Sequence, residues 1–145
     1  MASVKPRLRL AFLCSYADFD ANGLPFRLNE PIHTLQFVPG IDGRFRPKSM
    51  ALYTQLEDAV GTFPFSVEVR DEHNFVVNPN PPRVGITFPG MAYRVTPLEQ
   101  VFALDVTFPT PGVYFVHLVC NHLSLHEPPA PGECPFPAVR VNVLS

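Results

Sequence analysis

Phe63-Pro64-Phe65-Ser66-Val67-Glu68-Val69-Arg70 is the stretch on which the fold turns. Apolar side chains occupy every second position, Phe63, Phe65, Val67 and Val69, while Pro64, Ser66, Glu68 and Arg70 fill the alternate set. Successive side chains of a strand point to opposite faces, so a period of two describes a ribbon with one buried face. The same spacing returns in Phe102, Leu104, Val106 and Phe108 against Ala103, Asp105 and Thr107, and in Val139, Val141 and Val143 against Arg140 and Asn142. Leu8, Leu10, Phe12 and Cys14 read as a further inward set. Tyr114, Val116, Leu118 and Cys120 read as another, in a run apolar on both faces that suits a central strand. Met50 to Glu57 reads as a strand in preference to a short helix, and Val95 to Gln100 offers one helical turn capped by Thr96 with Pro97 first.

Composition supports the strand reading. The chain has 18 prolines among its 145 residues, and proline is excluded from helix interiors and central strands, so short elements separated by turns are expected. Turn signals fall at Asn22-Gly23, Pro39-Gly40, Asp42-Gly43, Asn78 to Pro82, Pro89-Gly90 and Pro109 to Gly112. With 46% apolar and 17% charged residues there is enough to build a core. One domain over residues 1–145 is expected: an all-β antiparallel sandwich of immunoglobulin-like or related Greek-key topology, with about seven to nine strands and little helix.

Three blocks carry a resemblance. Leu10-Ala11-Phe12-Leu13-Cys14-Ser15-Tyr16-Ala17-Asp18 with Asn22-Gly23, and Ser66 to Asn74 with His73-Asn74 at its turn, resemble a family of small, β-rich, uncharacterised prokaryotic domains. Pro111-Gly112-Val113-Tyr114-Phe115-Val116-His117, with Asn121 beyond, resembles the penultimate hairpin of immunoglobulin-type sandwiches. The resemblance implies a fold and carries no activity with it.

Some function classes are disfavoured at once. A net charge of -2 gives no electrostatic footprint for nucleic acid or acidic lipid. Lys5, Arg7 and Arg9 before Leu10 to Leu13 imitate a secretion signal, but the apolar run is short and bulky Phe12 and Leu13 precede Cys14. No run approaches a membrane span. Three cysteines cannot all pair within one chain, and a cytoplasmic location with reduced thiols is expected.

Several constellations carry chemistry on paper. Cys120, His122, His126 and Cys134 supply a zinc-compatible ligand set, although no paired-cysteine knuckle fixes their geometry. A metal-binding module or metal-dependent hydrolase with zinc is therefore the alternative function; otherwise no cofactor is expected. Asp18, Asp20, Asn22 and Gly23 match the first half of a calcium loop, yet Asn29 stands at its twelfth position, with Glu30 one residue late and Pro25 inside. Asp71, Glu72 and Asn74 are possible extra oxygens. Cys14, Ser15, His33 and His117 lack any local nucleophile signature, and Cys14 falls on an apolar phase that suits an inert thiol. Gly40 and Gly43 stand between prolines and charges, which is no phosphate cradle. Arg44, Phe45, Arg46 and Lys48 make a small basic-aromatic loop, more simply a solvated one than a base-stacking one. Glu127 to Pro137 is a stiff, proline-rich segment suited either to docking or to tethering the last strand. No catalytic residue is assigned, and the expected role is a non-catalytic protein-interaction or assembly module, engaging a protein partner or a second copy.

Overall fold

A computed structural model of the chain describes residues 6–19, 25–88, 98–126 and 136–145, without the side chains of 17–29. Ten strands form two sheets, and no helix occurs among the described residues. They are β1 (Arg7–Phe19), β2 (Pro25–Pro31), β3 (Thr34–Gln36), β4 (Met50–Glu57), β5 (Gly61–Asp71), β6 (Val84–Phe88), β7 (Leu98–Leu104), β8 (Gly112–Cys120), β9 (Leu123–Ser124) and β10 (Val139–Leu144). One sheet runs β2-β1-β4-β7 and the other β3-β10-β8-β5-β6, with β9 paired to β8. The fold is all-β and sandwich-like, as the period-two pattern predicts, with more strands than the seven to nine expected. One pairing departs from an antiparallel sandwich, because β3 lies parallel to β10.

The core lies between the sheets. β5 contributes Phe65, Val67 and Val69, β8 contributes Tyr114, Val116, Leu118 and Cys120, and β10 contributes Val141 and Val143. From the other sheet come Leu52 and Leu56 of β4 and Phe102 of β7. Met50 to Glu57 is a strand whose even positions point inward. Among these is Thr54, fully buried, whose hydroxyl donates to Gln100 O at 2.7 Å and so avoids an unmade hydrogen bond.

Two sequence expectations need correction. Leu10, Phe12 and Cys14 do not point into the core. A bulge between Leu8 and Leu10 adds a residue to β1 and moves every later side chain to the other face, so Ala11 and Leu13 enter the core. Leu10 is exposed, Phe12 stacks on Tyr53 across the outer face, and Cys14 is buried outside the core cluster. The alternation from Phe102 to Phe108 also outlasts its strand. β7 stops at Leu104, yet Val106 and Phe108 remain buried because Phe108 pairs with Phe45 through mutual backbone bonds of 2.7 and 3.0 Å.

Turn chemistry follows the residues. Gly40 N donates to Arg44 O at 2.7 Å, Gly43 N to Gly40 O at 3.0 Å, and Gly43 takes the left-handed φ of 77° that a side chain disfavours. Asn121 and His122, with φ of 51° and 68°, make the two-residue hairpin between β8 and β9. The turns at Asn22-Gly23 and Pro89-Gly90, and Val95 to Pro97 of the suggested helical turn, lie outside the described residues; Leu98 to Gln100 are strand. Among the described residues no helix is long and apolar enough to cross a membrane.

Candidate functional site

β8 sorts the zinc-compatible residues onto different surfaces. Its side chains alternate, so Cys120 joins Val116 and Leu118 in the core, while His117 and Val119 face outward. The β8–β9 register pairs Val119 with Ser124, and Leu125 N continues it to Leu118 O at 2.9 Å. Ser124 and His126 therefore share the outward face with His117. Cys120 and His126 are thus on opposite sides of the sheet, and His122 is exposed at the hairpin tip. Cys134 lies outside the described residues. Among the described residues no group of three or more His, Cys, Asp and Glu is placed to hold a metal ion.

The structure instead joins His117, Ser124 and His126, of which the sequence reading had not singled out Ser124. His117 Nδ1 and Ser124 Oγ are 2.8 Å apart, and His126 N donates to the same Oγ at 3.2 Å. The two imidazoles meet edge to face, 5.5 Å between centroids. His126 Nδ1 lies 3.0 Å from Phe136 O and 3.1 Å from Pro137 O. Carbonyls only accept, so this nitrogen carries the hydrogen. It pins the chain ahead of β10 to the segment after β9. A serine 2.8 Å from an imidazole has the spacing of a nucleophile and its base. Ser124 is only 6% exposed, however, and its oxygen also receives the His126 amide, so the cluster serves as a buried fastening. The signal for it was Asn121-His122: a two-residue turn fixes the register that carries residue 126 back beside residue 117.

The remaining candidates are dispersed. Cys14, on β1, is fully buried and its thiol is pushed up by that burial, while His33 is exposed at the start of β3. His117 belongs to the other sheet. Of the calcium-like residues, Asp20, Asn22 and Gly23 and the side chains of Asp18, Pro25 and Asn29 lie outside the described residues, and Glu30 is exposed. Asp71 accepts from the amides of His73 at 2.9 Å and Phe75 at 3.0 Å, which closes the turn after β5. In the basic loop, Phe45 packs edge-on against Phe37 and faces Phe108, and Arg46 grips Asp105 through two bonds of 2.8 Å. Arg44 and Lys48 are exposed. Residues 127–135 of the proline-rich segment lie outside the described residues.

What the surface offers is shape and apolar side chains. Ser15 stands opposite Met50, Met50 opposite Leu104, Gly112 opposite Val143 and Tyr114 opposite Asp71. The turns Gly40–Arg44 and Asp71–Phe75 consequently cap one end of the sandwich. They hold Val38, Ile41, Phe75 and Val76 in solvent, with Ile41 wholly exposed and Phe75 70% exposed; Leu144 ends β10 nearby. An open depression of about 550 Å³ bordered by Tyr16, Arg46, Lys48 and Asp105 lies at the same end. A narrower groove of about 210 Å³ follows β7. The chain matches no protein-family model and no curated protein sequence.

Proposed function

We propose that this chain is a cytoplasmic, non-catalytic interaction module of immunoglobulin-like type that engages a protein partner. The strand order supports the topology: β1-β4-β7 corresponds to A-B-E, and β10-β8-β5-β6 to G-F-C-C′. A tyrosine at the start of β8, Tyr114, donates back to Thr110 O, as the corner tyrosine of such sandwiches does. The buried, reduced thiol of Cys14 is in keeping with a reducing compartment.

The observation that carries the interaction role is the apolar end of the sandwich. Side chains of the size of Ile41 and Phe75 forgo about 1.5–3 kcal/mol each when left in water instead of buried. Here they are held there by ordered turns, closed through Gly40 N to Arg44 O and through Asp71. Asp42, Asp71, Glu72 and Asp105 mix with Arg44, Arg46 and Lys48 around them, which disfavours a polyanion and suits a protein surface. The test is retention of protein from the native lysate by the wild-type chain and by an Ile41→Asp/Phe75→Asp variant of unchanged thermal stability. A binding protein lost with the double variant supports this reading, and equal recovery on both overturns it.

A further inference from the structure

The apolar end of the sandwich carries its charges in two separate groups. The first lies on residues 38–48, where Arg44, Arg46 and Lys48 accompany a single anion, Asp42, and Arg46 is already held by Asp105. The second lies on residues 71–76, where Asp71 and Glu72 stand without a lysine or arginine. Arg44, Lys48 and Glu72 are exposed, and among the described residues none of their side chains makes an ion pair. Each group flanks an apolar tip, Val38 and Ile41 in the first stretch and Phe75 and Val76 in the second.

The sheet order sets the distance between the two groups. β3 leads into the first stretch and β5 into the second, with β10 and β8 between them. Three strand spacings make about 14 Å. A surface with a cationic turn at one side and an anionic turn at the other is complementary to itself. A two-fold axis between them sets each turn of one copy against the other turn of the second copy. The same rotation brings Ile41 of each copy toward Phe75 of the other, which gives an apolar centre with charged pairs at its rim. A partner of one sign meets repulsion from one of the two turns, whereas a second copy meets none.

We propose that the apolar end joins two copies of this chain in a reversible, two-fold symmetric dimer, with Arg44 of each copy paired to Glu72 of the other around a centre of Ile41 and Phe75. The inference rests on the reading of this end as an interaction surface, and it names the partner.

Sedimentation velocity of the full chain, from about 1 μM to about 1 mM, is expected to show monomer passing into dimer. Ile41→Asp/Phe75→Asp should stay monomeric throughout. Arg44→Glu and Glu72→Arg each set like charges against one another twice in the dimer, and each should weaken it about tenfold or more, with a larger effect at low salt. Mixing the two single variants restores both pairs with reversed polarity, so a heterodimer as tight as the wild-type dimer is expected. Arg44→Glu and Glu72→Arg combined in one chain should likewise regain the homodimer, a recovery that a merely structural role would not produce. Both positions are exposed, and unchanged thermal midpoints check that the fold is kept. A wild-type chain that is monomeric over the whole range overturns the proposal. So does a dimer indifferent to Ile41→Asp/Phe75→Asp, or one that mixing the charge variants fails to restore. A monomeric chain that still captures another protein through Ile41 and Phe75 overturns the second copy as occupant and leaves the interaction reading standing; a monomeric chain that captures none overturns both.

Discussion

Leu13 of β1 stands opposite Leu52 of β4, and both are fully buried. Leu10, three residues earlier and just past the bulge that follows Leu8, lies on the opposite face and is exposed. Leu13→Ala is expected to destabilise the domain by about 2–5 kcal/mol, since it opens a void in a packed interior. Leu10→Ala should cost under about 1 kcal/mol. Urea denaturation of both variants checks the contrast, and a larger loss for Leu10→Ala than for Leu13→Ala would mean that β1 keeps one unbroken phase from Leu8.

Tyr114 joins two elements. Its hydroxyl donates to Thr110 O at 2.6 Å and its ring meets Phe108 edge to face, 4.7 Å between centroids. Tyr114→Phe keeps the ring and loses the bond, so about 1 kcal/mol of stability should go. Tyr114→Ala also empties the site and should cost about 3–5 kcal/mol. Thermal or chemical unfolding of the pair separates the two contributions.

The Cys14 thiol is raised by burial. The folded chain therefore keeps this proton to higher pH than the unfolded chain does. Its contribution to stability is complete below the unfolded thiol's pKa and is lost as pH rises through the folded one. Urea midpoints measured between about pH 7 and pH 10 should fall more steeply for wild type than for Cys14→Ala. Tyr53, also raised by burial and by the Glu99 carboxylate, titrates in both proteins and cancels from the comparison. A thiol reagent should modify Cys14 only as fast as the chain opens.

His126→Ala removes the donor that bridges Phe136 O and Pro137 O. A loss of about 1 kcal/mol is expected, because two partly buried acceptors lose their donor. Hydrogen exchange should localise it, with Ala138 and Val139 exchanging faster and Val67 and Val69 unaffected. Uniform acceleration would contradict a local fastening.

Arg46 and Asp105 form a two-pronged pair, yet both side chains are about two-thirds exposed, at 66% and 69%. Arg46→Ala should change stability by less than about 1 kcal/mol. A larger loss in denaturant would show that the loop depends on this pair.

The strands were readable wherever one face meets the core and the other meets water. β5 and β10 show this plainly, because burial of Val67 or Val141 forces the polar alternates outward. β1 misled for a physical reason: a bulge costs one residue of phase, and both phases of Leu10-Ala11-Phe12-Leu13 are apolar, so nothing local declares which goes in. β3 was missed because a strand of three residues with one half-buried side chain has no period to read. The zinc-compatible quartet arose from counting ligands along the chain. Spacing does not show that β8 places successive side chains on opposite faces, and that parts Cys120 from His126. Ser124 was overlooked because an isolated hydroxyl has no signature until a register sets it beside His117.

The parallel pairing of β3 with β10 has a consequence for how the chain is made. Gln36 Nε2 reaches Leu144 O across 108 positions of sequence. During synthesis, the margin where Leu35 belongs cannot close until residues 139–144 have emerged. Val116 must meanwhile await Val139, its neighbour on the last ribbon, and a long-range closure of this kind is slow. That interval is when chaperones, or a neighbouring nascent chain, compete for the unfinished molecule.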